Sequence, residues 1–139
     1  MIVFDTDHLS ILQFEGSARR DRLIARMALS TETEWVAPIV AIEEQMRGWL
    51  SAIAKERQAR RQISSYRDLG HLFEFYANLQ IAPFDDPAVD IFEQFNRIRI
   101  STSDRKIGAI ALANQALLLT ANRQDFEQIP GLRFENWMD

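Results

Sequence analysis

The sequence predicts an α/β domain with a central, mostly parallel sheet of four to five strands. Short apolar runs alternate with longer segments in which apolar residues recur at helical spacing, and this alternation is typical of strands joined by crossover helices. The runs at residues 1–4 and 117–120 are apolar almost throughout, as in strands buried within a parallel sheet. Polar or acidic residues follow several runs directly, which marks the predicted strand ends.

The first half of the chain predicts two strands and four helices. The strands cover residues 1–4 and 33–38, and Pro38 is expected at a strand end because it cannot donate to a ladder. Gly16 is expected to end the first helix, and Ser17 to cap the second. The predicted helices cover residues 7–14, a segment after Ser17, residues 43–64 and residues 66–76, and the last two form a projecting hairpin.

The second half predicts three more strands, at residues 79–84, 117–120 and 132–134. Asp85 and Asp86 precede Pro87, so an acidic cap and a proline in the first turn predict a helix start there. Residues 101–103, Ser-Thr-Ser, supply a cap for a further helix. A short turn is expected near Asp125.

Composition excludes several classes of protein. A chain of 139 residues, 47% hydrophobic and 26% charged, is expected to form one globular domain over residues 1–139. It has no cysteine, which excludes disulfides and thiolate chemistry, and its two histidines, His8 and His71, lie far apart and favour no zinc site. No run approaches the roughly 20 apolar residues of a membrane span. We therefore expect a cytoplasmic protein without a membrane association.

Acidic residues lie in four separate segments, each near the end of a predicted strand or the start of a helix. They are Asp5 and Asp7, Glu43 and Glu44, Asp104, and Asp125. Functional groups of parallel sheets gather beyond the carboxyl ends of the strands. If the fold brings these acids together, their repulsion requires a divalent cation. Such a cation suggests cleavage of a phosphodiester.

The order and spacing of these segments resemble those of the PIN-domain ribonucleases, and specifically of VapC-type toxins from toxin–antitoxin pairs. The resemblance rests on Phe-Asp-Thr-Asp-His-Leu-Ser (4–10), Glu-Glu-Gln-Met-Arg-Gly (43–48), Asp-Arg-Lys-Ile-Gly-Ala-Ile-Ala-Leu-Ala-Asn (104–114), Leu-Leu-Leu-Thr-Ala-Asn-Arg-Gln-Asp-Phe (117–126) and the tail at 129–137. It implies a PIN-like α/β/α sandwich. It also implies an Mg²⁺-dependent endoribonuclease, with Mn²⁺ as an alternative ion, whose products carry a 5′-phosphate and a 3′-hydroxyl.

The resemblance implies that Asp5, Glu44 and Asp104 bind the metal. Glu44 matches the second acid better than its neighbour Glu43. Asn122 stands where many PIN domains carry a fourth acid, so either Asn122 or Asp125 completes the catalytic set.

Four further residues have supporting roles in this interpretation. The hydroxyls of Thr6, Ser103 and Thr120 are expected to orient a carboxylate or a water. Asp7 replaces the more frequent Asn of the motif, and its added charge can bind the metal or a metal-bound water.

The expected partners are RNA, a small cognate antitoxin, and a second copy of the chain in a homodimer or a larger toxin–antitoxin assembly. Net charge is −4, but basic residues form two blocks at residues 47–67 and 97–106. The first block is either a solvated helix face, with arginines pairing Glu56 or Asp68, or a rim that binds RNA phosphates.

Two other functions remain open. A degenerate PIN fold could bind RNA or a protein without cleavage, and Asn122 keeps this alternative open. A signalling receiver would need a phosphorylated Asp, such as Asp85 or Asp86, and a lysine after a later strand. The sequence has only Lys55 and Lys106, both in predicted helices, which argues against a receiver.

Overall fold

A computed structural model describes residues 1–139. Five strands and seven α-helices alternate along the chain, as the apolar pattern predicts. The strands are β1 (Ile2–Phe4), β2 (Trp35–Pro38), β3 (Gln80–Ala82), β4 (Leu117–Leu119) and β5 (Phe134–Glu135). The helices are α1 (Thr6–Gln13), α2 (Ala18–Leu29), α3 (Ile39–Lys55), α4 (Ala59–Tyr76), α5 (Asp86–Phe92), α6 (Thr102–Ala113) and α7 (Arg123–Phe126), with a 3₁₀ turn at Glu93–Phe95.

The sheet has the order β3-β2-β1-β4-β5, and every neighbouring pair is parallel. Strand β1 is central, with Ile2 opposite Trp35 on one side and Leu117 on the other. All three residues of β1 are buried, which explains its continuous apolar sequence. The predicted α/β fold with a parallel sheet is confirmed. Its carboxyl edge lies where Asp5 and Thr120 follow the two central strands.

Three helices begin at the predicted caps. Ser17, Asp85 and Ser101 each accept a hydrogen bond from a backbone N–H of the following first turn, so each compensates for a donor that has no partner within the helix. The predicted strands at residues 79–84 and 132–134 were placed imperfectly. Strand β3 is shorter, and β5 lies two residues later.

The predicted helical hairpin forms, but its boundaries were wrong. Helix α3 begins at Ile39 rather than near Glu43, directly after Pro38. The chain leaves the helix at Glu56, not near residue 64, although no glycine or proline marks this position. The amide of Gln62 donates to the carbonyls of Ile53 and Glu56. These bonds across the turn satisfy C-terminal carbonyls that would otherwise lack partners.

The basic block at residues 47–67 lies on this hairpin. The predicted ion pairs with Glu56 or Asp68 are absent, and within the block only Arg47 is paired, with Glu43 one turn before it. The remaining arginines, Arg57, Arg60, Arg61 and Arg67, are exposed. No helix of the chain combines the length and the apolar character that a membrane crossing needs.

A glycine in α6 allows this helix to pack closely against the segment after α7. A Cβ atom at Gly108 would lie 2.4 Å from Cδ1 of the buried Ile129. We expect Gly108→Ala to lower the free energy of unfolding by about 1–3 kcal/mol, because a buried side chain must shift. Gly48→Ala is the matched control, since its Cβ meets nothing within 4 Å and should stabilise α3. Equal effects in urea unfolding would contradict this packing.

Candidate metal centre

Asp5 lies at the junction between β1 and α1, where it ends the central strand and caps the helix. Its Oδ1 accepts a hydrogen bond of 2.7 Å from the backbone N–H of Thr6. Its Oδ2 accepts one of 2.7 Å from the hydroxyl of Thr120, which follows β4. Only 5% of Asp5 is exposed. A buried carboxylate is costly without compensation, and these two neutral donors compensate only part of its charge.

The environment of Asp5 disfavours its ionised form. Burial raises the pKa of Asp5 to about 7, and the negative charges of Asp7 and Asp104 add to this effect. The hydrogen bonds from Thr120 and Thr6 act in the opposite direction. Such a shift marks a site where a cation or a proton is needed for stability.

Helix α3 brings Glu44 into contact with Thr6, the residue that follows Asp5. Thr6 donates its hydroxyl to Glu44 Oε1 at 3.0 Å, so one residue contacts both acids through its backbone and its side chain. Burial raises the pKa of Glu44, and the charge of Asp104 contributes. Glu43 is exposed instead and pairs with Arg47 at 2.6 Å. The two neighbours therefore differ in environment, and metal binding by Glu44 stays a prediction.

The neutral amide of Asn122 links Asp104 and Asp125. Asp104 lies in the first turn of α6, half-buried, and the Nδ2 amide of Asn122 donates to its Oδ2 at 3.3 Å. The same amide donates to Asp125 Oδ2 at 3.0 Å. Burial raises the pKa of Asp104, with contributions from Asp125 and Asp7. Asn122 thus reduces the repulsion between two carboxylates, which an acid at this position would increase.

Two predicted supporting residues contact the acids as expected, and two differ. Thr6 and Thr120 donate to Glu44 and Asp5. The hydroxyl of Ser103 makes no hydrogen bond to an acid, because Ser101 is the residue that caps α6.

Asp7, the second residue that differs, is not a free carboxylate. Its Oδ1 contacts His8 Nδ1 at 2.7 Å, and its Oδ2 accepts from the backbone N–H of Ala121 at 2.8 Å. The contacts of His8 were not predicted; only its place in the first predicted helix was. Its partners are a neighbouring carboxylate and the distant Trp137, and only the polar pair Asp7-His8 hints at them in the sequence.

The donors that converge here are carboxylate and hydroxyl oxygens, the ligand type of hard cations such as Mg²⁺. The acids lie close enough to shift one another's pKa values. However, no three acidic or histidine side chains are arranged closely enough to hold one ion as they stand. Hydrogen bonds from Thr6, Thr120 and Asn122 fix the orientation of these carboxylates, and each bonded oxygen keeps a second lone pair for an ion. The residue types fit a divalent cation, and binding requires local side-chain rearrangement.

The molecule is an α/β protein with an all-parallel sheet of five strands. Acidic residues follow the central strand β1 and its neighbour β4. Residues 2–132 match the PIN domain family. The chain therefore belongs to the PIN domain family, as the motif resemblance predicted. No curated protein has a significantly similar sequence.

Solved structures share the fold over nearly the full chain. VapBC-1 from nontypeable Haemophilus influenzae has 18% identity and a TM-score of 0.77, with complete coverage of both chains. VapBC2 from Rickettsia felis, bound to a promoter DNA fragment, has 20% identity and a TM-score of 0.72, with 99% of each chain covered. DNA-bound VapBC from Salmonella typhimurium has 19% identity and a TM-score of 0.72, with 98% of this chain and 97% of that chain covered. The predicted likeness to VapC structures is confirmed for the fold.

Proposed function

We propose that this protein is a metal-dependent endoribonuclease that acts as the toxin of a toxin–antitoxin pair. The observation that carries the proposal is the buried carboxylate of Asp5, whose pKa is raised to about 7 beside further acids from α3 and α6. Such a group is costly to the fold unless a ligand uses it. A divalent cation is the ligand that neutralises several acids at once.

Asp5, Glu44 and Asp104 are the proposed ligands of Mg²⁺, with Mn²⁺ as a second ion of suitable size and ligand preference. When bound, the ion would lower the pKa of a coordinated water and neutralise charge on a scissile phosphate. Thr120 orients Asp5 and Thr6 orients Glu44 through the hydrogen bonds already present.

Asp125 is the general base in this proposal. Its Oδ2 is held by Asn122, which leaves Oδ1 to accept the proton of an attacking water. Asn122 is accordingly a positioning residue in this proposal. Its neutral amide keeps Asp125 and Asp104 in place without adding a negative charge.

RNA is the proposed substrate, and basic side chains beside the acids supply its phosphate contacts. Arg123 directly follows Asn122 and is exposed, and it lines a polar cavity of about 400 Å³ together with Thr120 and Arg26. Arg47 follows Glu44 by one helical turn. A net charge of −4 makes such local cations necessary for binding a polyanion.

A protein partner is proposed from the apolar surface of the hairpin. Ile39, Leu50, Phe73 and Ile81 are exposed large hydrophobic residues on α3, α4 and the edge strand β3, and two hollows lie among them. Exposed apolar areas of this kind are typical of protein interfaces. We assign the hairpin face beside β3 to a second copy of the chain. The inhibitory partner in this proposal is a small antitoxin, because one solved structure with this fold is a toxin–antitoxin complex from Klebsiella pneumoniae. The cytoplasm is the compartment in which both partners and RNA would meet.

Cleavage tests separate the enzyme from a PIN fold that only binds. Purified protein is incubated with RNA in Mg²⁺, in Mn²⁺ and in EDTA. We expect cleavage with either ion, 5′-phosphate ends on the products, and none in EDTA. RNA retention without cleavage under all three conditions would instead support the binding alternative, which the absence of a preformed three-ligand group keeps relevant.

A further inference from the structure

His8 is a completely buried imidazole three residues after Asp5, and both of its ring nitrogens have partners. Its Nε2 lies 3.3 Å from the backbone nitrogen of Trp137, and its Nδ1 lies 2.7 Å from Asp7 Oδ1. A backbone N–H can only donate, so Nε2 must be the acceptor in the first bond. The ring proton is therefore on Nδ1 and is donated to Asp7.

Asp7 uses both carboxylate oxygens within the protein. While Oδ1 accepts from His8, Oδ2 accepts the backbone N–H of Ala121 at 2.8 Å. The neighbouring hydroxyl of Thr120 lies 2.7 Å from Asp5 Oδ2 and 3.5 Å from Asp7 Oδ2. Asp7 thus fixes the backbone immediately after Thr120, and this backbone determines where the hydroxyl points.

An asparagine at position 7 would conflict with His8. If its amide oxygen accepted from Ala121, its NH₂ group would face the Nδ1 proton of His8. Moving that proton to Nε2 would place it against the N–H of Trp137. In both of these arrangements a donor lacks an acceptor, at a cost of about 1–3 kcal/mol. Turning the amide so that its oxygen accepts from His8 would instead give up the bond from the exposed N–H of Ala121. An aspartate is the residue that suits a histidine held in this way.

The other end of this chain of hydrogen bonds is firmly anchored. Trp137 is buried, and its ring packs edge-on against Trp35 at 6.3 Å and under the guanidinium of Arg26 at 4.9 Å. The next residue is held as well, because Arg22 donates to the carbonyl of Met138 at 2.7 Å. The end of the chain is consequently a fixed point to which His8 can be tied.

We infer that Asp7 and His8 are a matched positioning pair that ties the C-terminal segment, residues 136–139, to the orientation of Thr120 and Asp5. The pair acts on the site without contacting substrate. The effect of the pair on metal binding rests on the proposed function. The tether itself, the series of hydrogen bonds that links Trp137, His8, Asp7 and Ala121, is a feature of the fold. The two can therefore be tested separately.

Two substitutions divide the tether at different points. In His8→Asn the side-chain amide takes the place of Nδ1 and can still donate to Asp7, but the contact with Trp137 is lost. In His8→Gln the amide oxygen takes the place of Nε2 and can still accept from Trp137, but the donor to Asp7 is lost. Each variant removes one hydrogen bond, and His8→Gln should lose more stability because the bond that it removes is the shorter one to a carboxylate. His71→Gln, on the exposed face of α4, is the matched control.

The tether is measured directly by nitrogen NMR of the histidine rings and by hydrogen exchange of the Trp137 amide in the full chain. We expect a neutral His8 with its proton on Nδ1, and a protected Trp137 amide that loses protection in His8→Asn and keeps it in His8→Gln. A ring proton on Nε2, or an amide unaffected by either change, would overturn the tether.

Calorimetry with Mn²⁺ tests the coupling to the site. We expect His8→Gln to weaken binding by about tenfold, as is typical when a group that orients a metal ligand is lost, and His8→Asn, which keeps the donor to Asp7 but loses the anchor at Trp137, to weaken it less. Equal affinities in both variants would reduce the pair to a purely structural role and overturn the coupling. If the wild type binds no metal, the proposed function fails and the coupling with it, while NMR and exchange still decide the tether.

Discussion

Asp5→Asn is expected to abolish RNA cleavage while leaving the protein folded. The substitution removes the charge that the proposed site needs most, since Asp5 is the most buried of its acids and lies at the end of the central strand. We expect a decrease in the cleavage rate of at least about a thousandfold, comparable to the loss of other major catalytic groups. Expression of the variant in bacteria without an antitoxin should also no longer arrest growth.

The variant should also be more stable than the wild type when no metal is present. Asparagine can accept from the N–H of Thr6 and donate to the oxygen of Thr120, whose hydroxyl proton can turn to Asp7 Oδ2 at 3.5 Å. It therefore keeps the hydrogen bonds and removes a buried charge. With the pKa of Asp5 at about 7, the gain in stability from Asp5→Asn is absent at low pH and complete above pH 7.

Asp90→Asn provides the matched control, because Asp90 is an exposed acid on α5 with no hydrogen bond or ion pair. It should cleave RNA at the wild-type rate and melt at the wild-type temperature. Full activity or full toxicity of Asp5→Asn would refute the assignment of Asp5. A variant that unfolds would show instead that asparagine does not keep the hydrogen bonds of Asp5 with Thr6 and Thr120.

The positions of the acids could be predicted because each follows a local signal. Asp5 ends an apolar run, and Asp104 follows a serine-rich helix start. Their meeting depends on strand order, which places β1 next to β4 across more than a hundred residues. Parallel strands present their carboxyl ends at one edge, so the family motif and the general rule agree.

The side-chain contacts within the site could not be predicted in the same way. His8 contacts Trp137 across 129 residues, and no local pattern encodes a bond between an imidazole and a distant backbone amide. In the sequence, Asn122 stands where related domains carry a fourth acid. In the structure its amide bridges Asp104 and Asp125. Such roles depend on where donors and acceptors lie in space, and residue type alone does not determine this.

Divalent metal is expected to stabilise the wild-type protein strongly at about pH 8 and hardly at all at about pH 5. Without metal, the folded state binds a proton at Asp5 up to a pKa of about 7, whereas the unfolded state releases it near 3.8. The folded state therefore holds more protons between these values, and its stability falls as pH rises through this interval. Glu44 and Asp104, whose pKa values are also raised, contribute in the same direction.

The size of the metal effect follows from competition between the ion and the proton. Mg²⁺ at a hundred times its Kd adds about 2.7 kcal/mol to the free energy of unfolding. Two pH units below the pKa, roughly one Asp5 carboxyl in a hundred is ionised, which weakens apparent binding about a hundredfold and leaves about 0.4 kcal/mol. For a domain of this size, the melting temperature should rise by about 8 °C at the higher pH and about 1 °C at the lower.

Thermal melts with MgCl₂, against NaCl of equal ionic strength, measure this difference. The salt control is needed because screening alone relieves repulsion among the acids, and Asp5→Asn should respond only as it does to NaCl. A stabilisation by Mg²⁺ that is equal at both pH values would place the ion away from Asp5. A response specific to Mg²⁺ in the wild type that disappears in Asp5→Asn would show that the ion stabilises the fold by binding at the Asp5 carboxylate.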